Sequence, residues 1–105
     1  MQRFDIAQLS GPADWSGPTF AGFGGDAAVK LRWINGAYKW HRNEGAEVFL
    51  VLEGEVDMHV KRSDNDQPSV ERLGPGQMLL IEVGEQHIAY PRGEARVLVV
   101  ERADA

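Results

Sequence analysis

The sequence contains no cysteine among its 105 residues. Disulfide bonds, thiolate zinc sites and cysteine nucleophiles are therefore excluded, and any metal would have to be held by nitrogen and oxygen ligands. The chain also lacks an apolar run long enough to cross a bilayer, and its first residues, "MQRFDIAQLS", lack the continuous apolar segment of a signal peptide. We therefore expect no membrane association and a cytoplasmic location.

A basic surface is absent as well. The formal net charge is -5 with acidic and basic residues interspersed, so no basic stripe is available for a phosphate backbone, and nucleic acid is not an expected partner. The hydrophobic share of 43% and the charged share of 26% are typical of a globular protein. Because 105 residues suffice for one hydrophobic core but not for two, we predict a single domain spanning residues 1–105.

Helical periodicity is missing too, apart from a single turn around residues 6–9. Instead, 12 glycines and five prolines divide the chain into short apolar segments, which is typical of many short strands. The segment "AAVKLRWI" (27–34) alternates between apolar and charged residues and predicts a strand. Asn35-Gly36 follows directly and predicts a tight hairpin, with "AYKWHRN" (37–43) as the returning strand.

The rest of the chain continues this pattern. "EVFLVLEG" (47–54) is apolar on both faces, as in a strand covered on each side, and "EVDMHVK" (55–61) alternates again. Further strands are predicted in "SVERL" (69–73), "QMLLIE" (77–82), "QHIAY" (86–90) and "ARVLVVE" (95–101). About nine short strands without a helix indicate an all-β sandwich or barrel over residues 27–101, with residues 1–26 as an irregular N-terminal arm along its outside.

Histidine occurs at only three positions, which lets each one be assessed. Alternation places Lys39, His41 and Asn43 on one face of the segment before the "EGA" loop, and Glu47 on the same face as Phe49 and Val51 after it. If both faces point inward, His41, Asn43 and Glu47 converge at the mouth of a barrel, where a third segment can bring His87. His59 should face outward, because its strand neighbours Val56, Met58 and Val60 point in.

Two neutral imidazoles and one carboxylate with open coordination positions suit a divalent metal such as iron, manganese, nickel or zinc. The amide oxygen of Asn43 is a weaker fourth donor, so affinity should fall and exchange should be faster. The alternative is structural: His41 is an ordinary strand histidine and Glu47 a solvated carboxylate at the end of a loop. Spacing alone favours this structural alternative.

Two motifs, however, resemble those of the cupin superfamily, in the family's order. The first motif reads Gly36, four residues, His41-Arg42-Asn43, three residues, Glu47, six residues, Gly54. The second reads Gly76, five residues, Glu82-Val83-Gly84, two residues, His87, three residues, Pro91. The resemblance covers residues 27–101, and phrases such as "KWHRNEGAEVFLVLEGEVDMHV" are similar to small single-domain bacterial cupins of the mannose-6-phosphate-isomerase-like kind.

The resemblance implies a double-stranded β-helix, or jelly-roll barrel, and a divalent metal site. His41, Glu47 and His87 match three of the four family ligands, whereas Asn43 stands where a histidine is expected. Glu82 and Pro91 also depart from the motif and should alter the shape of a loop more than the chemistry. Because cupins include dioxygenases, isomerases, decarboxylases, sugar-binding modules and storage proteins, the family does not specify an activity.

The resulting hypothesis is a small metal-binding cupin that acts on a small polar or carboxylated molecule, as a metal-dependent dioxygenase or isomerase would. The alternatives are a non-catalytic cupin that binds or senses a small or sugar-like ligand, and a metal-free dimeric scaffold with a decayed site. Lys39 either binds an anionic group or extends its ammonium into water. The predicted pocket lining is Phe49, Val51, Met58 and Met78, although core packing explains these residues equally well.

Outward apolar side chains predict a partner surface. Five apolar side chains would lie on outward faces of the strands, namely Trp33, Tyr38, Trp40, Leu50 and Leu52. An apolar outer surface of that extent usually marks an interface. Because small cupins commonly dimerise back to back, the resemblance implies a homodimer.

Overall fold

A computed structural model of the chain describes residues 1, 3–8, 11, 14–21, 23 and 25–103. Within these residues the chain forms a 3-10 turn, Ile6–Gln8, and ten strands. The strands are β1 (Asp14–Ser16), β2 (Thr19–Ala21), β3 (Ala27–Ile34), β4 (His41–Arg42), β5 (Glu47–Glu53), β6 (Val56–Lys61), β7 (Ser69–Leu73), β8 (Met78–Ile81), β9 (Gln86–Pro91) and β10 (Ala95–Arg102). The all-β prediction is confirmed. The 3-10 turn is far too short to span a membrane, and the described residues contain no longer helix that could.

The strands form two antiparallel sheets. The six-stranded sheet has the order β1-β3-β10-β5-β8, with β2 also paired to β3, and the four-stranded sheet has the order β4-β9-β6-β7. Strands that are adjacent in space are often distant in sequence, as when β10 lies between β3 and β5. Two antiparallel sheets connected by such crossovers form the predicted jelly roll.

The hydrophobic core lies between the inner faces of the two sheets. On the six-stranded sheet, Val97 and Val99 of β10 lie beside Val51 and Phe49 of β5, so these four side chains share one face. Met58 is fully buried on the four-stranded sheet. The complete cluster is Ile34, Phe49, Val51, Val56, Met58, Leu73, Ile81, Ala89, Ala95, Val97 and Val99.

The hairpin predicted at Asn35-Gly36 is wrong. Both sides of β3 are already paired, one side with β10 and the other with β1 and β2. The chain therefore passes from β3 to the other sheet, where β4 pairs with β9. A two-residue turn motif reports only local chain geometry. It gives no information on whether strands from elsewhere in the sequence already pair with both edges of the strand before it.

The N-terminal arm, expected to be irregular, contributes two short strands to the sheet, although residues 2, 9, 10, 12, 13, 22 and 24 lie outside the described part. A close approach requires Gly17, since a Cβ there would lie 1.9 Å from the carbonyl oxygen of Leu31. Beside it, the pairing of β1 with β3 shifts between Asp14 and Ser16, and Trp15 has a positive φ of 67°. Trp15 therefore lies at an irregularity that turns its side chain toward the barrel interior.

The apolar residues that were predicted to face outward differ in their exposure. Trp33 lies on the outer face but is buried, and the Arg96 guanidinium lies over its ring, 5.3 Å from the centroid. Leu50 and Leu52 are half-buried, and Trp40 is partly exposed beneath the Lys61 ammonium. Tyr38 was wrongly expected to face outward: although exposed, it lines the cavity described below.

Candidate metal centre

Strand pairing in the four-stranded sheet brings two histidines together. His41 of β4 and His87 of β9 are direct cross-strand partners, so their side chains leave the same face of the sheet. Their ring centroids are 4.0 Å apart in an edge arrangement. His87 is buried, while His41 is half-buried. The two imidazoles, 46 positions apart in the sequence, therefore form one side of a common site.

An amide and a carboxylate complete this group. Asn43 lies two residues beyond His41 and stays on its face, because backbone hydrogen bonds with Gly84 and Glu85 continue the pairing past the end of β4. Glu47 begins β5 on the opposite sheet and points inward. Both side chains are buried. The ligand atoms of His41, Glu47 and His87 all lie within 4.8 Å of one another.

Hydrogen bonds fix the orientation of His87 and Asn43. The Asn43 amide donates a long hydrogen bond of 3.4 Å to the Ile81 carbonyl, which directs its oxygen Oδ1 toward His87. Nε2 of His87 donates to Oδ1 at 2.8 Å. Oε1 of Glu47 also lies 3.3 Å from Nε2, but the better partner is Oδ1, and Oε1 remains buried without a hydrogen bond. The site therefore contains a buried carboxylate oxygen that lacks a donor.

A backbone contact orients the other imidazole. Nδ1 of His41 lies 3.1 Å from the carbonyl oxygen of Lys39. A carbonyl oxygen only accepts hydrogen bonds, so Nδ1 carries the proton and donates it. Nε2 of His41 then presents a lone pair, which is the arrangement in which a backbone partner prepares histidine to bind a metal.

A cavity of about 780 Å³ opens onto this group. That volume lies within the range usual for small-molecule sites. His41, Asn43, Glu47 and His87 all line the cavity, and the charged side chains of Lys30, Arg32 and Glu101 form another part of its wall. The inner face of β3 carries Lys30 and Arg32, since their cross-strand partners on β10 are the inward-pointing Val99 and Val97.

The predicted pocket residues divide into three groups. Lys39 and Phe49 line the cavity. Val51 and Met58 are fully buried in the core and are not among its lining residues. The prediction that Met78 lines the pocket is wrong. Met78 pairs with Leu50 on the outer face of the six-stranded sheet and is 52% exposed. His59 faces outward as predicted, half-buried against the Tyr90 ring at 4.6 Å between centroids.

Several cavity residues escaped sequence reasoning. Lys30 and Glu101 form an ion pair at 2.5 Å, each with 17% of its side chain exposed, and Trp15 and Tyr38 form an aromatic wall with ring centroids 5.2 Å apart. The alternation of charged and apolar residues in β3 could have suggested a face of charged side chains. In the structure that face points inward, and the apolar face of the strand is also buried. No local signal marks Trp15, since its placement depends on the pairing of β1 with β3.

Comparison with known families identifies the chain. The family model of the cupin domain (Cupin_2) matches residues 33–101. The chain belongs to the cupin family. None of the curated proteins matches the sequence.

Solved structures of other proteins have the same architecture. A cupin-2 domain protein from Shewanella frigidimarina is 28% identical, with a TM-score of 0.68, and the match covers 84% of this chain and 80% of that protein. Hydroquinone 1,2-dioxygenase PnpCD in complex with Fe³⁺ is 16% identical, with a TM-score of 0.82, over 98% of this chain and 33% of that one. Hydroquinone 1,2-dioxygenase from Sphingomonas sp. TTNP3 with bound 4-hydroxybenzoate is 21% identical, with a TM-score of 0.73, over 85% and 28%. At these identities, the similarity to the two dioxygenases supports the fold of this chain and nothing about its activity.

Proposed function

We propose that this cupin binds a divalent metal through His41, Asn43, Glu47 and His87 and uses it to hold a small polar or carboxylated molecule in the cavity. The observation that carries this proposal is the buried, unbonded Oε1 of Glu47. Burying a carboxylate oxygen without a hydrogen-bond donor or a cation costs several-fold more free energy than burying an unpaired neutral polar group. A cation at this point would remove that cost.

The spacing of the donor atoms of His87, Asn43 and Glu47 also suits a metal ion. Two ligands at right angles, each about 2.1 Å from an ion, are about 3 Å apart. Nε2 of His87, which would have to lose its proton to bind an ion, lies 2.8 Å from Oδ1 of Asn43 and 3.3 Å from Oε1 of Glu47. Two imidazoles with one carboxylate accept iron, manganese, nickel or zinc. The Fe³⁺ in PnpCD supports iron as one of these candidates.

A bound ion would supply Lewis-acid or oxygen-activating chemistry. The chain's own residues do the rest of the work. Glu47 provides a negative charge at the floor of the cavity, and the Lys39 carbonyl holds the His41 ring in place. Lys30 and Glu101 place an acid and a base in the cavity wall beyond the ligands.

One observation favours a second candidate, the metal-free scaffold. The hydrogen bond of 2.8 Å between His87 and Asn43 satisfies both side chains without a metal. It leaves Glu47 unsatisfied, however, which is the reason that the metal-binding function is preferred.

Metal titration tests the proposal. Protein stripped with chelator should bind one equivalent of Zn²⁺ or Mn²⁺ in isothermal titration calorimetry, and His87→Ala should abolish the binding. His59→Ala is the matched control for loss of an imidazole, because His59 is half-buried on the outer face of its sheet and does not line the cavity. Stoichiometry below about a tenth of an equivalent for every candidate metal would contradict the proposal and support the scaffold.

The proposal includes a homodimer, with a cytoplasmic location as expected from the sequence. The outer face of the six-stranded sheet carries Met78 and Leu80, which are 52% and 55% exposed and lie beside the half-buried Val48 and Leu50. Contiguous exposed apolar side chains of this kind usually mark a protein interface. A second copy packing on this sheet would leave the cavity open, because the cavity lies on the sheet's inner face.

A further inference from the structure

The cavity wall is more basic than the protein as a whole. Its lining includes five basic side chains, Lys30, Arg32, Lys39, Arg42 and Arg102, against four acidic ones, Asp14, Glu44, Glu47 and Glu101. Because Arg42 is paired with Asp64, which lies just outside this lining, the wall is close to neutral, whereas the chain carries a net charge of -5. A divalent ion beside Glu47 would make the wall positive. The field in the cavity would then attract an anion.

Arg32 contributes most directly to this field. In the described part of the chain, its guanidinium donates to three carbonyl oxygens, those of Gly17, Pro18 and Leu31, and to the hydroxyl of Thr19. None of these acceptors carries a charge. Arg32 is thereby held firmly in the cavity wall, and no carboxylate of the described residues forms an ion pair with it. Lys30, by contrast, is paired with Glu101.

The other prominent feature of the wall is a fixed aromatic surface. Trp15 and Tyr38 contact each other with their rings tilted by 41°, and Tyr38 is 6.2 Å from the His41 ring. The indole nitrogen of Trp15 donates to the Gly36 carbonyl at 2.9 Å, which fixes the orientation of the ring. An aromatic surface therefore runs along the cavity as far as the candidate metal ligands.

The backbone at Trp15 has an unfavourable conformation. A positive φ is uncommon for a bulky residue, and strain of this kind persists where the surrounding structure enforces it, often at functional sites. Glycine would adopt φ 67° without this cost. The strain and the irregular pairing of β1 with β3 together direct a large flat side chain into the cavity.

We propose that the cavity is selective for a small planar carboxylate, whose ring lies against Trp15 and Tyr38 and whose negative charge is attracted by the wall around Arg32. This inference rests on the proposed function for the metal, but it concerns a different part of the cavity. A flat ring gains from stacking on an aromatic surface, whereas a puckered ring of similar size gains only from burial. Charge and planarity can therefore be tested separately.

Three probe ligands separate the two requirements on the unmodified protein. Benzoate is planar and charged, cyclohexanecarboxylate is charged but puckered, and benzamide is planar but neutral. In NMR titrations of Zn²⁺-loaded protein, we expect benzoate to bind about three- to tenfold more tightly than cyclohexanecarboxylate. We expect it to bind roughly tenfold more tightly than benzamide. Equal affinity for benzoate and either other probe, or no binding of benzoate, would overturn the proposal.

Variants then locate the effect. The ratio of the benzoate and cyclohexanecarboxylate affinities should fall to about one in Trp15→Leu and be kept in Trp15→Phe, which retains a flat ring. A ratio measured within one variant cancels a general loss of structure. Trp40→Leu is the matched control, because Trp40 does not line the cavity, and its ratio should equal that of the unmodified protein. An unchanged ratio in Trp15→Leu would overturn the assignment of the aromatic wall.

Repeating the titrations with chelator distinguishes this inference from the proposed function. If Zn²⁺ does not bind but benzoate is still preferred in a Trp15-dependent manner, the metal proposal fails and the planar carboxylate site stands. If Zn²⁺ binds at one equivalent but the three probes bind equally, the metal proposal stands and the planar carboxylate site is wrong.

Discussion

Replacing Glu47 with glutamine should have opposite effects on stability with and without metal. The change keeps the shape of the side chain and removes its charge. Glu47 is only 5% exposed, and its Oε1 has no hydrogen bond. An unsatisfied buried polar group costs about 1–3 kcal/mol, and more when it is charged. In chelator, the free energy of unfolding of Glu47→Gln should therefore equal that of the unmodified protein or exceed it by up to about 2 kcal/mol.

Metal should reverse this order. At a Zn²⁺ concentration one hundred times the dissociation constant, binding stabilises the unmodified protein by about 2.7 kcal/mol. If removal of the carboxylate charge weakens binding about one hundredfold, the same Zn²⁺ concentration stabilises the variant by only about 0.4 kcal/mol. The metal-dependent gain should thus differ between the two proteins by about 2 kcal/mol.

Urea unfolding followed by circular dichroism, in chelator and in Zn²⁺, measures all four stabilities. Glu94→Gln should match the unmodified protein under both conditions, since that carboxylate is exposed and does not line the cavity. The reasoning would be refuted if Glu47→Gln lost more than about 1 kcal/mol in chelator, because Glu47 would then be stabilised within the protein by an ion pair with His87.

Three further substitutions test other parts of the structure. Asn43→His should raise Zn²⁺ affinity by about tenfold or more in a chelator competition, because imidazole is a stronger donor than an amide oxygen; unchanged affinity would mean that position 43 does not face the metal. Leu80→Glu should convert a dimer to a monomer in analytical ultracentrifugation, whereas Val70→Glu, an equally exposed site on the other sheet, should not. The hydrogen bond from Arg72 and the nearby charge of Arg92 hold the pKa of Asp57 below its ordinary value of 3.8. This stabilisation is present above the ordinary pKa and is lost as the pH falls through the lowered one, so the stability gap to Asp57→Asn should be constant at neutral pH and shrink in acid.

The sequence was sufficient to predict the fold class and the convergence of the four candidate ligands. Alternation placed His41 and Asn43 on one face and Glu47 with Phe49 on another, and the motif resemblance added His87. These predictions succeed because the side-chain period of a strand is two, so a correct inward face fixes every second residue. Met78 was misassigned because β8 is four residues long and apolar on both faces. Its sequence therefore does not show which residues point inward.

Other features depend on long-range pairing. The Asn35-Gly36 hairpin was predicted from local turn chemistry, but the pairing of β3 is determined by β10, about 70 residues later in the chain. Trp15 enters the cavity because β1 joins β3 with an irregular register. Neither pairing is encoded in the residues next to it, so a single sequence could not place the aromatic wall.

The candidate ligands belong to both sheets, since His41 and His87 lie in the four-stranded sheet and Glu47 begins a strand of the six-stranded sheet. An ion held by all three would act as a cross-link at one end of the barrel, where the strand β4 is only two residues long. Opening of that end would then require release of the ion. Amide hydrogen exchange at Asn43 should therefore slow on metal addition, while exchange at the far end of β6 stays the same.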